Sequence, residues 1–142
     1  MANPPQPFFR FEKWYLVGID ALDSQHKEIV AQVGEVYESV IAKKPVDVQL
    51  EHLTRLVNLT KVHFATEEQI LRSRSYPEYL RHKAAHEGLG RNLAEYREQI
   101  ATGQRELNLD YVYLMKLWLV DHLAEFDLGF ARFFGSENHA IE

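Results

Sequence analysis

Residues 63–86, HFATEEQILRSRSYPEYLRHKAAH, restrict the fold more than any other part of the chain. They hold two pairs of residues able to ligate metal, His63 with Glu67 and His82 with His86. In each pair the second residue follows the first by four, the spacing that stacks side chains on one face of an α-helix. Ser75-Tyr76-Pro77 breaks the helix between the pairs, and proline is tolerated in the first turn of the helix that follows. The stretch therefore predicts a helical hairpin that aims four polar side chains into one shared core. Such a hairpin cannot bury its faces alone, so the flanking sequence must supply further helices.

It does. Helix A is expected from Asp20, with Asp20 or Asp23 available to cap its free N–H groups. Its apolar stripe is Leu22, Ile29, Val33, Val36 and Val40, with His26 on the same line, and Lys43-Lys44-Pro45 closes it. Helix B runs from about Asp47 to Arg72 on Leu53, Leu56, Val57, Thr60, Phe64 and Leu71. Helix C runs from about Pro77 to Thr102, with Tyr79, His82, His86, Leu89, Leu93, Tyr96 and Ile100 inward, and Gly103 stops it. Helix D begins near Asn108 and turns Val112, Met115, Leu119, His122 and Phe126 inward. Before helix A, Pro4, Pro5 and Pro7 disfavour helix. Phe8, Phe9, Phe11, Trp14 and Tyr15 read as an extended arm laid against the helices. The pattern is all-α: an up-down-up-down four-helix bundle with an extended N-terminal arm. One domain covers 1–142, with the arm at 1–18, the bundle at about 20–134 and a polar, loose tail at 135–142.

Composition narrows the function. Without cysteine there are no disulfides, no thiolate-held iron–sulfur clusters and no cysteine zinc sites. A net charge of −5 with scattered Lys and Arg disfavours nucleic acid as a partner. No segment reaches the apolar length of a membrane span, and the N-terminus lacks the pattern of a secretory signal. A cytoplasmic protein is the expectation. The unusual feature is seven histidines in one short acidic domain.

A lone histidine on an apolar stripe is ordinarily a hydrogen-bonded core residue. Here His26, His63, His82, His86 and His122 all face inward, together with Glu67, and no inner-face Lys or Arg is present to pair a carboxylate. In an up-down bundle their positions converge at one end. His52 faces the same way as His63 but lies roughly 16 Å away along the axis, so it is not expected to join them. Nor is His139 in the tail. Asp127 follows His122 by five, roughly 140° round a regular helix, and shares the site only if the helix bulges. Gly129 eases such a bulge. Spacing alone favours Glu125, three residues after His122.

These segments resemble the bacterial hemerythrins of the hemerythrin family across nearly the whole chain. Trp14 precedes VGIDALDSQHK, similar to the helix A signature. HFATEE, SYPEYLRHKAAH and WLVDHLAEFD are similar to those of helices B, C and D. The resemblance implies a non-haem di-iron centre with an oxo or hydroxo bridge. His82, His86 and His122 would hold one iron, His26 and His63 the other, and Glu67 and Asp127 would bridge them. It implies a non-enzymatic dioxygen carrier, store or delivery protein, with dioxygen held as hydroperoxide on the five-coordinate iron. The alternative is an oxygen, redox or nitric oxide sensing domain built on the same site. A ferritin-like di-iron enzyme ranks last, because its Glu-x-x-His pairs are missing. Nitric oxide and small anions are further expected occupants, and the charged helix surfaces read as those of a monomer.

The positions matching the family's dioxygen pocket are Ile29, Phe64, Leu71, Trp118, Leu119 and Leu123, all apolar. Each taken singly is equally a core-packing residue. The family often has Met at Leu71, Phe at Leu89 and Asn at Gly34. The first two differences should reshape the pocket without altering its chemistry. Gly34 is expected to open a void or gas path.

Overall fold

The computed structural model describes residues 8–141, with side chains as far as Phe134. Pro4, Pro5, Pro7 and the side chain of His139 lie outside the described residues. Five helices follow one another: α1 Asp20–Ile41, α2 Val46–Ser73, α3 Tyr79–Ala101, α4 Leu109–His122 and α5 Leu128–Ile141. A π turn, Leu123–Asp127, joins α4 to α5, so the two form one rod. The chain is an all-α four-helix bundle. Helix α1 packs on α2 and α4, α2 on α3, and α3 on α4.

Local chemistry places the ends. Lys43 takes a left-handed φ of 52° after α1, and the Pro45 carbonyl accepts from the N–H groups of Val48 and Gln49 to open α2. Ser75 (φ 55°) makes the turn before α3, and Gly103 (φ 79°) ends it. Asn108 caps α4, its side-chain oxygen accepting from the Tyr111 N–H at 3.1 Å. Asp23 does something else. Its carboxylate leaves the helix N–H groups and accepts from the arm, from Val17 N–H at 2.7 Å and Gly18 N–H at 3.2 Å. It ties the arm to α1.

Over residues 8–18 the arm carries no helix or strand apart from a short 3-10 turn at Lys13–Tyr15. Phe9 and Tyr15 are buried, and Phe8 and Phe11 half-buried. Trp14 is instead 45% exposed, because the turn presents Tyr15 inward and leaves its neighbour outside. Residues 135–141 continue α5 as helical backbone where a loose tail was expected. No proline interrupts them, so the hydrogen-bonded spiral propagates.

Two apolar clusters fill the bundle. The larger contains Ile29, Val33, Leu56, Phe64, Leu93, Met115, Leu119 and Leu123. The smaller contains Val17, Leu22, Leu71, Phe130 and Phe134. On each contributing helix a polar residue sits between them: His26 between Leu22 and Ile29, Glu67 between Phe64 and Leu71, Asp127 between Leu123 and Phe130. The polar site is therefore a layer closed above and below by hydrocarbon. No described helix is long and apolar enough to cross a membrane.

Candidate metal centre

The layer gathers seven side chains, none more than 8% exposed: His26, His63, Glu67, His82, His86, His122 and Asp127. Helices α2 and α3 contribute their pairs at a spacing of four, as the sequence predicts. The fourth rod contributes through the π turn. Its wider coil carries Asp127 round to the side of His122, whereas Glu125 points outward and meets Arg81 at 3.1 Å. The same rotation moves Phe126 off the inner stripe, where the sequence had placed it. It stays half-buried and stacks on His122, with ring centroids 5.2 Å apart. Gly129 lies two residues beyond the π turn. A Cβ there would meet the Tyr76 hydroxyl at 3.2 Å, so the glycine makes room for that ring.

The donor atoms sort into two groups, in each of which they lie within 4.8 Å of one another. One comprises His82, His86, His122, Glu67 and Asp127; the other His26, His63, Glu67 and Asp127. Both carboxylates belong to both groups, and each divides its oxygens between them. Glu67 Oε1 lies 3.1 Å from His86 Nε2 and also touches His82 Nε2. Glu67 Oε2 lies 3.0 Å from His63 Nε2 and 3.7 Å from His26 Nε2. Asp127 Oδ1 is 3.1 Å from His122 Nε2 and 3.2 Å from His82 Nε2, while Oδ2 is 3.0 Å from His26 Nε2.

Glu67 Oε1 is hydrogen-bonded to His82 and His86 Nε2, but the other contacts are not ordinary hydrogen bonds. His26 Nε2, His63 Nε2, His122 Nε2, Glu67 Oε2 and both Asp127 oxygens are buried and have no partner in hydrogen-bond geometry. Buried polar atoms are rarely left so, because each costs about 1–3 kcal/mol. Their lone pairs converge on two points, as nitrogen and oxygen donors do around a first-row transition metal. The residues fit a binuclear metal site.

Electrostatics carry the same message. Burial alone would lower the pKa of His26 and of His82, but the Asp127 and Glu67 carboxylates beside them override it and raise both to about 9. Burial wins at His63 and lowers its pKa. Burial would raise the Glu67 pKa, but the surrounding imidazoles hold it well below the usual carboxylate range. At Asp127, burial and the neighbouring Glu67 charge push upward, and His122 and His26 reverse them and lower the value. Without metal, protons on His26 and His82 neutralise the two carboxylates.

Two orienting residues carried no signal in the sequence. The Gln25 Oε1 lies 2.8 Å from His63 Nδ1, and Gln25 Nε2 donates to Thr66 Oγ1 at 3.2 Å. Glu68 Oε2 lies 3.0 Å from His86 Nδ1. With Nδ1–H donating outward, the Nε2 lone pair of each ring faces the site. Both partners sit across a helix–helix contact, where sequence spacing says nothing. His52 stays apart from the group, as expected, and its backbone carbonyl accepts from Gln32 Nε2 at 2.8 Å.

A cavity of about 20 Å³, room for roughly one water-sized molecule, adjoins the centre. His26, His63, His122 and Asp127 form its polar side; Phe9, Ile29, Val30, Phe64, Leu119 and Leu123 form its apolar side. It does not touch His82 or His86. Leu71 and Trp118, expected in this wall, are elsewhere. Leu71 belongs to the smaller cluster, on the far side of the polar layer. Trp118 is half-buried against Tyr96, with ring centroids 5.4 Å apart, in the groove between α3 and α4. Phe9 and Val30 take their place. Val30 follows His26 by four, so helical spacing could have found it; Phe9 depends on the path of the arm. Gly34 has open space beside it but does not line this cavity.

Fold and site together define a helical-bundle protein with a binuclear site of imidazoles and shared carboxylates. The Hemerythrin HHE cation binding domain matches residues 17–133. The chain belongs to the hemerythrin family. A bacteriohemerythrin of Pseudomonas aeruginosa is 30% identical over 113 residues, covering 80% of this chain and 72% of that protein. One of Stenotrophomonas maltophilia is 28% identical over 115 residues, covering 81% and 74%. A myohemerythrin of Sipunculus nudus is 30% identical over 126 residues, covering 89% and 92%. A solved wild-type hemerythrin shares the fold with a TM-score of 0.80 at 24% identity, over 84% of this chain and 92% of that one.

Proposed function

We propose that this chain binds dioxygen reversibly at a non-haem di-iron centre and acts as a non-enzymatic carrier, store or delivery protein. Family membership supports a di-iron, dioxygen-binding domain. The observation that carries the reading is an asymmetry. One group offers three imidazoles and two carboxylate oxygens, the other two imidazoles and two carboxylate oxygens, and the cavity meets both imidazoles of the second but only His122 of the first. In this reading His82, His86 and His122 hold one iron, His26 and His63 hold the other, and Glu67 and Asp127 bridge them. Iron held there would supply one electron per ion and would take the ligand on the side of His26 and His63.

The protein's own residues do the rest. Gln25 and Glu68 keep the Nε2 lone pairs of His63 and His86 turned inward. Phe64 stacks on His86 at a centroid distance of 4.0 Å and also walls the cavity. Ile29, Val30, Leu119 and Leu123 present only hydrocarbon to whatever enters. Such a wall favours a small apolar gas over water and charged reductants, which would lose hydrogen bonds on entry.

Metal analysis with an optical spectrum before and after anaerobic reduction and re-aeration tests the proposal. Two irons per chain and a spectrum that reverses on removal of dioxygen are expected. A reproducible single zinc with no affinity for iron, or irreversible oxidation on first exposure, overturns it.

A further inference from the structure

Ten residues line the cavity beside the two-imidazole group, and nine of them come from α1, α2, α4 and the π turn. The tenth, Phe9, comes from the N-terminal arm. It is 4% exposed. The arm crosses the seam between α1 and α4: Phe8 stacks on Tyr37 of α1 at 4.2 Å and meets Tyr113 of α4 edge-on at 5.6 Å. Polar ties at both ends help to hold it there. Asp23 grips the N–H groups of Val17 and Gly18. At the other end Lys116 Nζ donates to the Phe8 carbonyl at 2.7 Å and sits over the Phe8 and Phe9 rings, 4.8 and 5.5 Å from their centroids.

We infer that Phe9 is the specificity-determining door of this cavity and that Lys116 is its latch. This assignment rests on the proposed function only in taking the cavity as the place of ligand exchange. A bundle helix leaves the site only by unfolding. The arm, by contrast, has little hydrogen-bonded structure of its own and is held by a few buried side chains, Phe9 and Tyr15 among them, and by polar ties, so its Phe8–Phe9 end opens at lower cost than a helix. A molecule small and apolar enough passes the closed seam during side-chain motion. A hydrated anion or a chelator needs the arm to lift. Lys116 sets how often that happens, through a charge-assisted hydrogen bond to a backbone carbonyl and through cation–π contact with the door itself.

The test compares the iron-loaded parent with Phe9→Ala and Lys116→Met. Lys116→Met leaves every cavity-lining residue in place. Two rates are measured: azide binding to the diferric protein, followed by its absorption band, and metal release to a strong chelator. Both variants should start with the parent's metal content. Both rates should then rise roughly ten-fold, equivalent to about 1.4 kcal/mol at 25 °C. If Phe9→Ala fails to fold, Lys116→Met decides alone. Parent rates in Lys116→Met, with metal content unchanged, overturn the assignment. If the parent gives no azide adduct while metal release still accelerates in the variants, the door stands and the exchangeable position on the two-imidazole side falls.

Discussion

Replacing Gln25 by Leu isolates what an orienting residue contributes. The His63 ring is 2% exposed, and its Nδ1 has Gln25 Oε1 as its partner at 2.8 Å. In Gln25→Leu that N–H loses its acceptor inside the protein, at a cost of about 1–3 kcal/mol if it stays where it is. The ring has an escape in the metal-free protein. It moves the proton to Nε2 and turns slightly to donate to Glu67 Oε2, which lies 3.0 Å away but outside hydrogen-bond geometry in the resting structure. Thr66, released from Gln25, keeps its bond to the Val62 carbonyl at 2.9 Å, so it is not orphaned. The metal-free fold should therefore lose at most about 1 kcal/mol. Metal binding has no such escape, because it needs the Nε2 lone pair and forces the proton back to the unpartnered nitrogen. The expected loss of affinity is about 10–100-fold. Competition between the protein and a chelator for cobalt(II) at fixed pH measures it, alongside thermal melts of the metal-free forms. Gln25→Glu retains an acceptor and should restore binding. Affinity within a factor of about two of the parent in Gln25→Leu, or a parallel collapse of metal-free stability, would refute the orienting role.

Four further outcomes follow from the same geometry. His86→Ala removes a donor from the three-imidazole group and should lower iron per chain. Leu123→Ala keeps all seven donors, costs about 2–5 kcal/mol of stability by enlarging the cavity, and should speed decay of the oxygenated spectrum with iron per chain unchanged. Protonation follows from His26 and His82, whose pKa values stand at about 9 against 6.5 ordinarily. Their protonated forms stabilise the metal-free fold in full below pH 6.5, and that contribution is lost as pH rises through about 9. Metal displaces both protons, so calorimetry in buffers of different ionisation enthalpy at pH 7.5 should find at least two released, a solvent-derived bridge adding to them, and apparent affinity should climb with pH up to about 9. Finally, Gly34→Ala adds a methyl group that meets nothing within 4 Å. It should raise stability by about 0.5–1 kcal/mol in denaturant unfolding, with no change in the cavity beside the centre.

The helices and their inward faces were legible from residue order because helical periodicity is a local property. His63 with Glu67 and His82 with His86 declare their common face by a spacing of four, and Pro45, Pro77, Gly103 and Asn108 mark ends through backbone chemistry carried by single residues. Convergence of five histidines and Glu67 at one depth also follows from counting turns in an up-down bundle. Asp127 marks the edge of that logic. A regular helix selects Glu125, and the fit of Asp127 under His122 depends on a π turn that becomes worthwhile only once other helices surround it. What remained was decided by which helices touch. Gln25 reaches His63 across the α1–α2 contact, and Glu68 reaches His86 across α2–α3. The site separates Leu71 from the cavity although Leu71 shares the stripe of Phe64. Phe9 closes the cavity because the arm returns across α1 and α4, tied by Asp23 and Lys116. These pairings join residues up to 108 positions apart. Their energies arise when packed surfaces exclude water, and no periodicity along the chain records which surfaces those are.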